Sequence, residues 1–119
     1  MKEKRLITSA LPYTNQVPHC GNIVGSHLHA DIFARYCRLA CHDAILIGGT
    51  DENRTTTEVA AQKAGVTPKQ LTDFFYKIHK EIYNWFNFSY DNFSRTSKKI
   101  HYDTTKEIFL RAYENGYIS

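Results

Sequence analysis

The residues with the clearest chemical potential lie near the start of the chain. Ala10-Leu11-Pro12-Tyr13-Thr14-Asn15 is followed closely by Pro18-His19-Cys20-Gly21-Asn22, a His-x-Gly-Asn tetrapeptide that opens a helical pattern. A helix start offers unpaired N–H groups and the positive end of the helix dipole, so a phosphate is welcome there. His19 and the amide of Asn22 can donate to phosphate oxygens, and Gly21 lets the backbone approach a ligand closely. A second cluster, Gly48-Gly49-Thr50-Asp51-Glu52, ends an apolar run and adds a carboxylate. The Tyr13 ring and the Asp51 carboxylate together suit a zwitterion with an apolar tail. Taken singly the residues are ordinary: a histidine at a helix start is often a cap, an aspartate after a strand is often an N-cap, and Tyr13 can be a packed turn residue. In combination they suggest a nucleotide and amino-acid site.

The kind of catalysis is narrowed by what is missing. No Gly-Lys-Ser/Thr follows, so this is not a Walker loop, and the second and third glycines of a dinucleotide fingerprint are absent. No serine or cysteine stands beside a base in a nucleophile elbow. The pattern therefore suits transition-state stabilisation at phosphorus, where positioning and electrostatics act without a protein nucleophile.

Alternating strands and helices must position these groups. Arg5–Ala10 is β-branched and apolar and reads as a buried strand, bounded by Pro12. From Gly21 to about Leu39 the pattern is helical with two apolar stripes. One holds Ile23, His27, Ala30, Ala34 and Cys37; the other holds Val24, Leu28, Ile32, Arg35 and Leu39, as if the helix were clamped between a sheet and another element. Ala44–Ile47 reads as a central parallel strand. A short helix from about Thr56 to Ala64 stops at Gly65, and Thr67-Pro68-Lys69-Gln70 reads as a capping box. The helix it starts carries Leu71, Phe74, Phe75, Ile78, Ile82, Trp85 and Phe86 at helical spacing, expected as core. Ser89–Phe93 reads as a third strand. A last helix spans about Lys98 to Asn115, with Ile108, Phe109, Ala112 and Tyr113 inward and Gly116 as its stop. The expected fold class is α/β, a partial Rossmann-like nucleotide-binding fold with parallel strands and flanking helices. Ligands in such sheets lie beyond the carboxyl ends of the strands, where both polar clusters fall.

Bulk properties agree with an ordinary globular domain. The 119 residues are 42% hydrophobic and 23% charged, with a net charge of +3 from 15 basic and 12 acidic side chains. The basic residues are scattered, so charge alone does not indicate an RNA partner. Three cysteines, no secretory leader and no long apolar run point to a reducing, cytoplasmic setting and away from a membrane. Cys37, Cys41 and His42 do not have zinc-site spacing; small buried thiols are expected and no metal site.

His19-Cys20-Gly21-Asn22 resembles the His-x-Gly-His/Asn motif of the class I aminoacyl-tRNA synthetases. Ala10–Asn15, Gly49-Thr50-Asp51-Glu52, Ala30–Arg38 and Asn87–Asp91 are similar to the methionine-specific family, the methionyl-tRNA synthetases, over essentially the whole chain. The resemblance implies methionine–tRNA ligase activity: ATP with Mg2+ and methionine give methionyl-adenylate, and the methionyl group passes to tRNA(Met). It implies that His19, Gly21 and Asn22 bind ATP, with His19 and Asn22 catalytic, and that Ala10, Leu11, Tyr13 and Asp51 bind methionine. It further implies that residues 1–119 form the N-terminal half of the catalytic domain, inactive without a C-terminal half. The connective insertion, the Lys-Met-Ser-Lys-Ser loop and the anticodon-binding domain are not in this sequence. The alternative is a non-catalytic nucleotide-binding or interaction module derived from that enzyme. One departure stands beside the site: Asn53-Arg54 replaces the family's aromatic-or-His and glycine.

Overall fold

The computed structural model describes residues 2–118. Strand β1 (Lys4–Thr8) leads into a helical run made of α1 (Cys20–Asn22), a π-helical segment (Ile23–Leu28) and α2 (His29–Leu39). Strand β2 (Asp43–Thr50), helices α3 (Thr55–Ala64) and α4 (Pro68–Trp85), strand β3 (Asn92–Arg95) and helix α5 (Lys99–Glu114) follow. The three strands form one parallel sheet in the order β1-β2-β3, with Leu6 opposite Ile45 and Gly48 opposite Phe93. The α/β class and the central place of the second strand match the reading of the sequence.

The helical run is continuous, since Asn22, Leu28 and His29 all keep right-handed helical dihedrals. Its buried residues are Ile23 and His27 in the π segment and Asp31, Ala34 and Cys37 in α2. The steps between them are four, four, three and three residues, which average close to the 3.6-residue period of a helix and keep them on one face. The α2 part of that face packs on β1 and β2. Ile7, Ala34, Cys37 and Leu46 make the core, with Ala30, Ala44 and Tyr90 packed against it.

The opposite face of the sheet is open over β1 and the start of β2. Leu6 and Ile45, paired across β1 and β2, are 68% and 49% exposed, so the expectation that Arg5–Ala10 is a buried strand is corrected: Ile7 is its one buried residue. The second stripe of the helical run is open as well at Val24, Ile32 and Leu39. Of the cysteines only Cys37 is buried; Cys41, expected to be buried too, is exposed just beyond α2 with a φ of 62°.

Two helix orientations also differ from expectation. In α4 the buried residues are Thr72, His79 and Tyr83; of the expected core stripe, Leu71, Phe75, Ile78 and Ile82 are half-buried, whereas Phe74 and Trp85 are 60% and 79% exposed. The inward face has partners that the stripe lacks: Tyr76 stacks on Phe93, Tyr83 meets the same ring edge-on at 5.4 Å, and His79 Nε2 donates to the Gln16 carbonyl at 2.9 Å. In α5 no residue is buried, and Ile108, Phe109 and Tyr113, expected inward, are exposed.

The third strand begins three residues later than expected because Ser89 and Asp91 have other partners. Asp31 accepts from the Ser89 N–H and hydroxyl and from Arg35 Nε, each at 2.6 Å. Burial alone would raise the Asp31 pKa, but the Ser89 donors and the Arg35 guanidinium outweigh it and hold the carboxyl below its ordinary value. Asp91 Oδ2 accepts from the Leu46 N–H and from Arg38, both at 2.7 Å, so a side chain continues the ladder that β3 then takes over. The capping box is as read: Thr67 Oγ1 accepts from the Gln70 N–H at 3.2 Å, and Gln70 Oε1 accepts from the Thr67 N–H at 2.9 Å.

Candidate active site

His19 is the N-cap of α1, and its ring is turned inward along the backbone. Nδ1 accepts from the Asn22 N–H at 3.3 Å, and Asn22 Oδ1 accepts from the His19 N–H at 3.3 Å, a reciprocal box at the start of the helical run. An accepting Nδ1 carries no proton, so in the neutral ring the proton sits on Nε2, which is left to donate outward. Gly21 is needed for this fold-back: a Cβ there would stand 2.9 Å from His19 Cε1. The glycine thus makes room for the imidazole, a role distinct from the close ligand approach expected of it.

The loops after β1 and β2 meet. Tyr13 forms an isolated parallel bridge with Asp51, the Asp51 N–H donates to the Pro12 carbonyl at 2.9 Å, and Thr14 Oγ1 donates to the Asp51 carbonyl at 3.5 Å. Beside this junction opens a cleft of about 310 Å³ lined by Ala10, Leu11, Pro12, Tyr13, Asn22, Ser26, His27 and Arg54. Leu11 also borders a second cleft, of about 260 Å³, which reaches Gly49, Thr96 and His101.

Of the residues expected at the site, Ala10, Leu11, Tyr13 and Asn22 line the first cleft. His19 and Gly21 adjoin it through the Asn22 box but do not line it, and Asp51 touches it through Arg54, whose Nε donates to Asp51 Oδ2 at 2.6 Å. The Arg54 guanidinium also lies 4.8 Å from the centre of the Tyr13 ring.

Ser26 and His27 were not singled out as cleft residues by the sequence. Ser26 Oγ donates to the Ala10 carbonyl at 3.4 Å and ties the π segment to the first loop. His27 is 0% exposed and sits between two phenols, with Nδ1 2.5 Å from the Tyr90 hydroxyl and Nε2 2.9 Å from the Tyr83 hydroxyl. Tyr90 OH in turn lies 2.9 Å from Ser9 Oγ. Burial, and secondarily the nearby His79, pushes the His27 imidazole down to about 4, so the ring is neutral at pH 7. A polar residue within an apolar stripe was the available signal; its partners lie 56 and 63 residues away in sequence.

Glu52, beside Asp51, has a different character. It is buried, accepts from Arg95 Nε at 2.7 Å and from Thr50 Oγ1 at 3.0 Å, and also takes a hydrogen bond from Ser97. The Arg95 and Ser97 contacts tie the end of β2 to β3 and the segment after it, so Glu52 is a structural carboxylate and Asp51 the one nearer the cleft. Among the described residues, no group of three or more His, Cys, Asp or Glu side chains could hold a metal ion, and no helix is long and apolar enough to cross a membrane.

Known proteins share this fold. The sequence model described as "tRNA synthetases class I (M)" matches residues 5–119. The chain is 54% identical over 112 residues to the probable cytoplasmic methionine–tRNA ligase of Dictyostelium discoideum, covering 94% of this chain and 15% of that protein. It is 51% identical over 113 residues to the cytoplasmic enzyme of Saccharomyces cerevisiae, covering 95% and 15%. The methionyl-tRNA synthetase of Mycobacterium tuberculosis, solved in complex with methionyl-adenylate, superposes with a TM-score of 0.90 at 31% identity over 98% of this chain and 22% of that one. This chain therefore spans roughly a seventh of the length of these curated relatives. Matched from Arg5 to its last residue and about half identical to the family's members, the chain belongs to the class I methionine-type tRNA synthetases.

Proposed function

We propose that this chain forms the N-terminal half of the catalytic domain of a cytoplasmic methionine–tRNA ligase and works together with a C-terminal half. The observation that carries the reading is the meeting of two loops at one rim: Tyr13 bridges to Asp51 while Ala10, Leu11, Tyr13 and Asn22 share one cleft. Its support comes from the half-identical ligases and from the adenylate-bound synthetase with the same fold.

In this reading methionine lies along Ala10, Leu11 and Tyr13 with its α-ammonium toward Asp51, a charge-assisted contact. ATP approaches the helix start at His19-Cys20-Gly21-Asn22, bringing Mg2+ on its phosphates. A methionine carboxylate oxygen forms a bond to the α-phosphorus as the bond from that phosphorus to the bridging oxygen breaks, and pyrophosphate leaves with the electron pair. His19 Nε2–H and the Asn22 side chain donate to the oxygens on which negative charge develops, a contribution largest where the donors are already oriented. The His19–Asn22 box supplies that orientation. A terminal ribose hydroxyl of tRNA(Met) then attacks the carbonyl of the adenylate, releases AMP and keeps the methionyl group. Methionine-dependent ATP–pyrophosphate exchange by the full-length protein carrying these residues tests the assignment. His19→Ala should slow exchange about a hundredfold or more, with methionine affinity little changed. Wild-type exchange in that variant would refute the role given to His19.

A further inference from the structure

The geometry points to Arg54 as an internal competitor for the substrate ammonium: its guanidinium occupies the Asp51 carboxylate and covers Tyr13, so that this site holds methionine less tightly than its carboxylate and aromatic wall would allow. The inference rests on the reading of Asp51 and Tyr13 as methionine-binding residues.

The contacts are specific. Arg54 Nε donates to Asp51 Oδ2 at 2.6 Å, and the same guanidinium stands 4.8 Å from the Tyr13 ring centre. One planar cation therefore uses both elements that a zwitterion with an apolar tail would use, and it does so as a wall of the cleft. An ammonium group entering that space must displace it or share the carboxylate.

Helix stability gives no reason for an arginine here. Arg54 is the N-cap of α3, and its side chain makes no capping hydrogen bond. Serine, threonine, aspartate and asparagine are favoured at such a position, and a cation there faces the positive end of the helix dipole. The backbone is nonetheless fixed, because the Arg54 carbonyl accepts from the Thr57 and Glu58 N–H groups at 2.9 and 3.2 Å. A fixed backbone with a side chain 53% exposed, against 20% for Asp51, describes an arm that can swing away while its anchor stays.

Calorimetric titration of L-methionine into the full-length protein carrying these residues tests the inference with four variants. Arg54→Ser should keep α3 capped and tighten methionine binding by roughly five- to thirtyfold, the range expected from losing one exposed ion pair and one cation–π contact. Arg54→Lys, which keeps the charge but not the planar fork, should fall between serine and wild type. In Asp51→Asn the gain from a second Arg54→Ser change should disappear. Unchanged or weaker binding in Arg54→Ser would overturn the inference. If Asp51→Asn alone still weakens methionine, that result leaves the methionine-site reading standing. Absence of methionine binding in the wild type and in every variant would overturn both.

Discussion

The buried His27 should make the stability of this fold acid-sensitive between about pH 6.5 and pH 4. Its ring is wholly enclosed, both nitrogens are engaged by the Tyr83 and Tyr90 hydroxyls, and burial pushes it from 6.5 down to about 4. The folded state therefore keeps His27 neutral down to about pH 4, whereas the unfolded chain protonates near 6.5. Between those values the unfolded state binds more protons, so stability falls as pH is lowered and is fully regained above pH 7. The gap corresponds to about 3 kcal/mol, a large share of the 5–15 kcal/mol typical of a whole domain. The groups facing the ring reinforce the direction: the phenols supply no negative charge at these pH values, and His79, itself pushed down chiefly by burial, opposes a second cation nearby. Urea unfolding at intervals from pH 7.5 to 4 should show the wild type losing about 3 kcal/mol more than His27→Gln, which can hydrogen-bond both phenols but does not titrate. Parallel stability profiles for the two proteins would refute the reasoning. So would a His27 Cε1 proton resonance that titrates with a midpoint near 6.5 in the folded protein.

Two further perturbations test the fold around the site. Gly49→Ala would place a methyl group 2.8 Å from the Ser94 carbonyl oxygen and 3.1 Å from its carbon, backbone atoms of the paired strand that cannot turn aside. It should destabilise the protein by about 1–3 kcal/mol, read as a lower urea midpoint with an unchanged slope. Thr67→Ala removes one half of the α4 capping box and should cost about 1 kcal/mol in the same measurement, with Thr67→Asn restoring most of it. An alanine variant as stable as the wild type would show that α4 is held by its inward face alone.

What local sequence determines is clear in particular elements. The Thr67–Gln70 box and the left-handed stops at Gly65 and Gly116 each depend on neighbours within a few positions, and each is present. The placement of Tyr13 and Asp51 at one rim also follows from sequence, because loops leaving parallel neighbouring strands emerge on the same side. Which face of a helix turns inward does not follow. The aromatic stripe of α4 has the stronger apolar signal, yet Thr72, His79 and Tyr83 are the buried residues, because a buried polar face is decided by the partners it meets and not by its own period. The same holds for His27 between phenols from α4 and from the segment before β3, for Asp91 continuing the ladder of β2, and for the Arg54 guanidinium seated on Asp51. Each joins residues distant in sequence or turns a side chain toward one of several acceptors, and only the assembled structure selects among them.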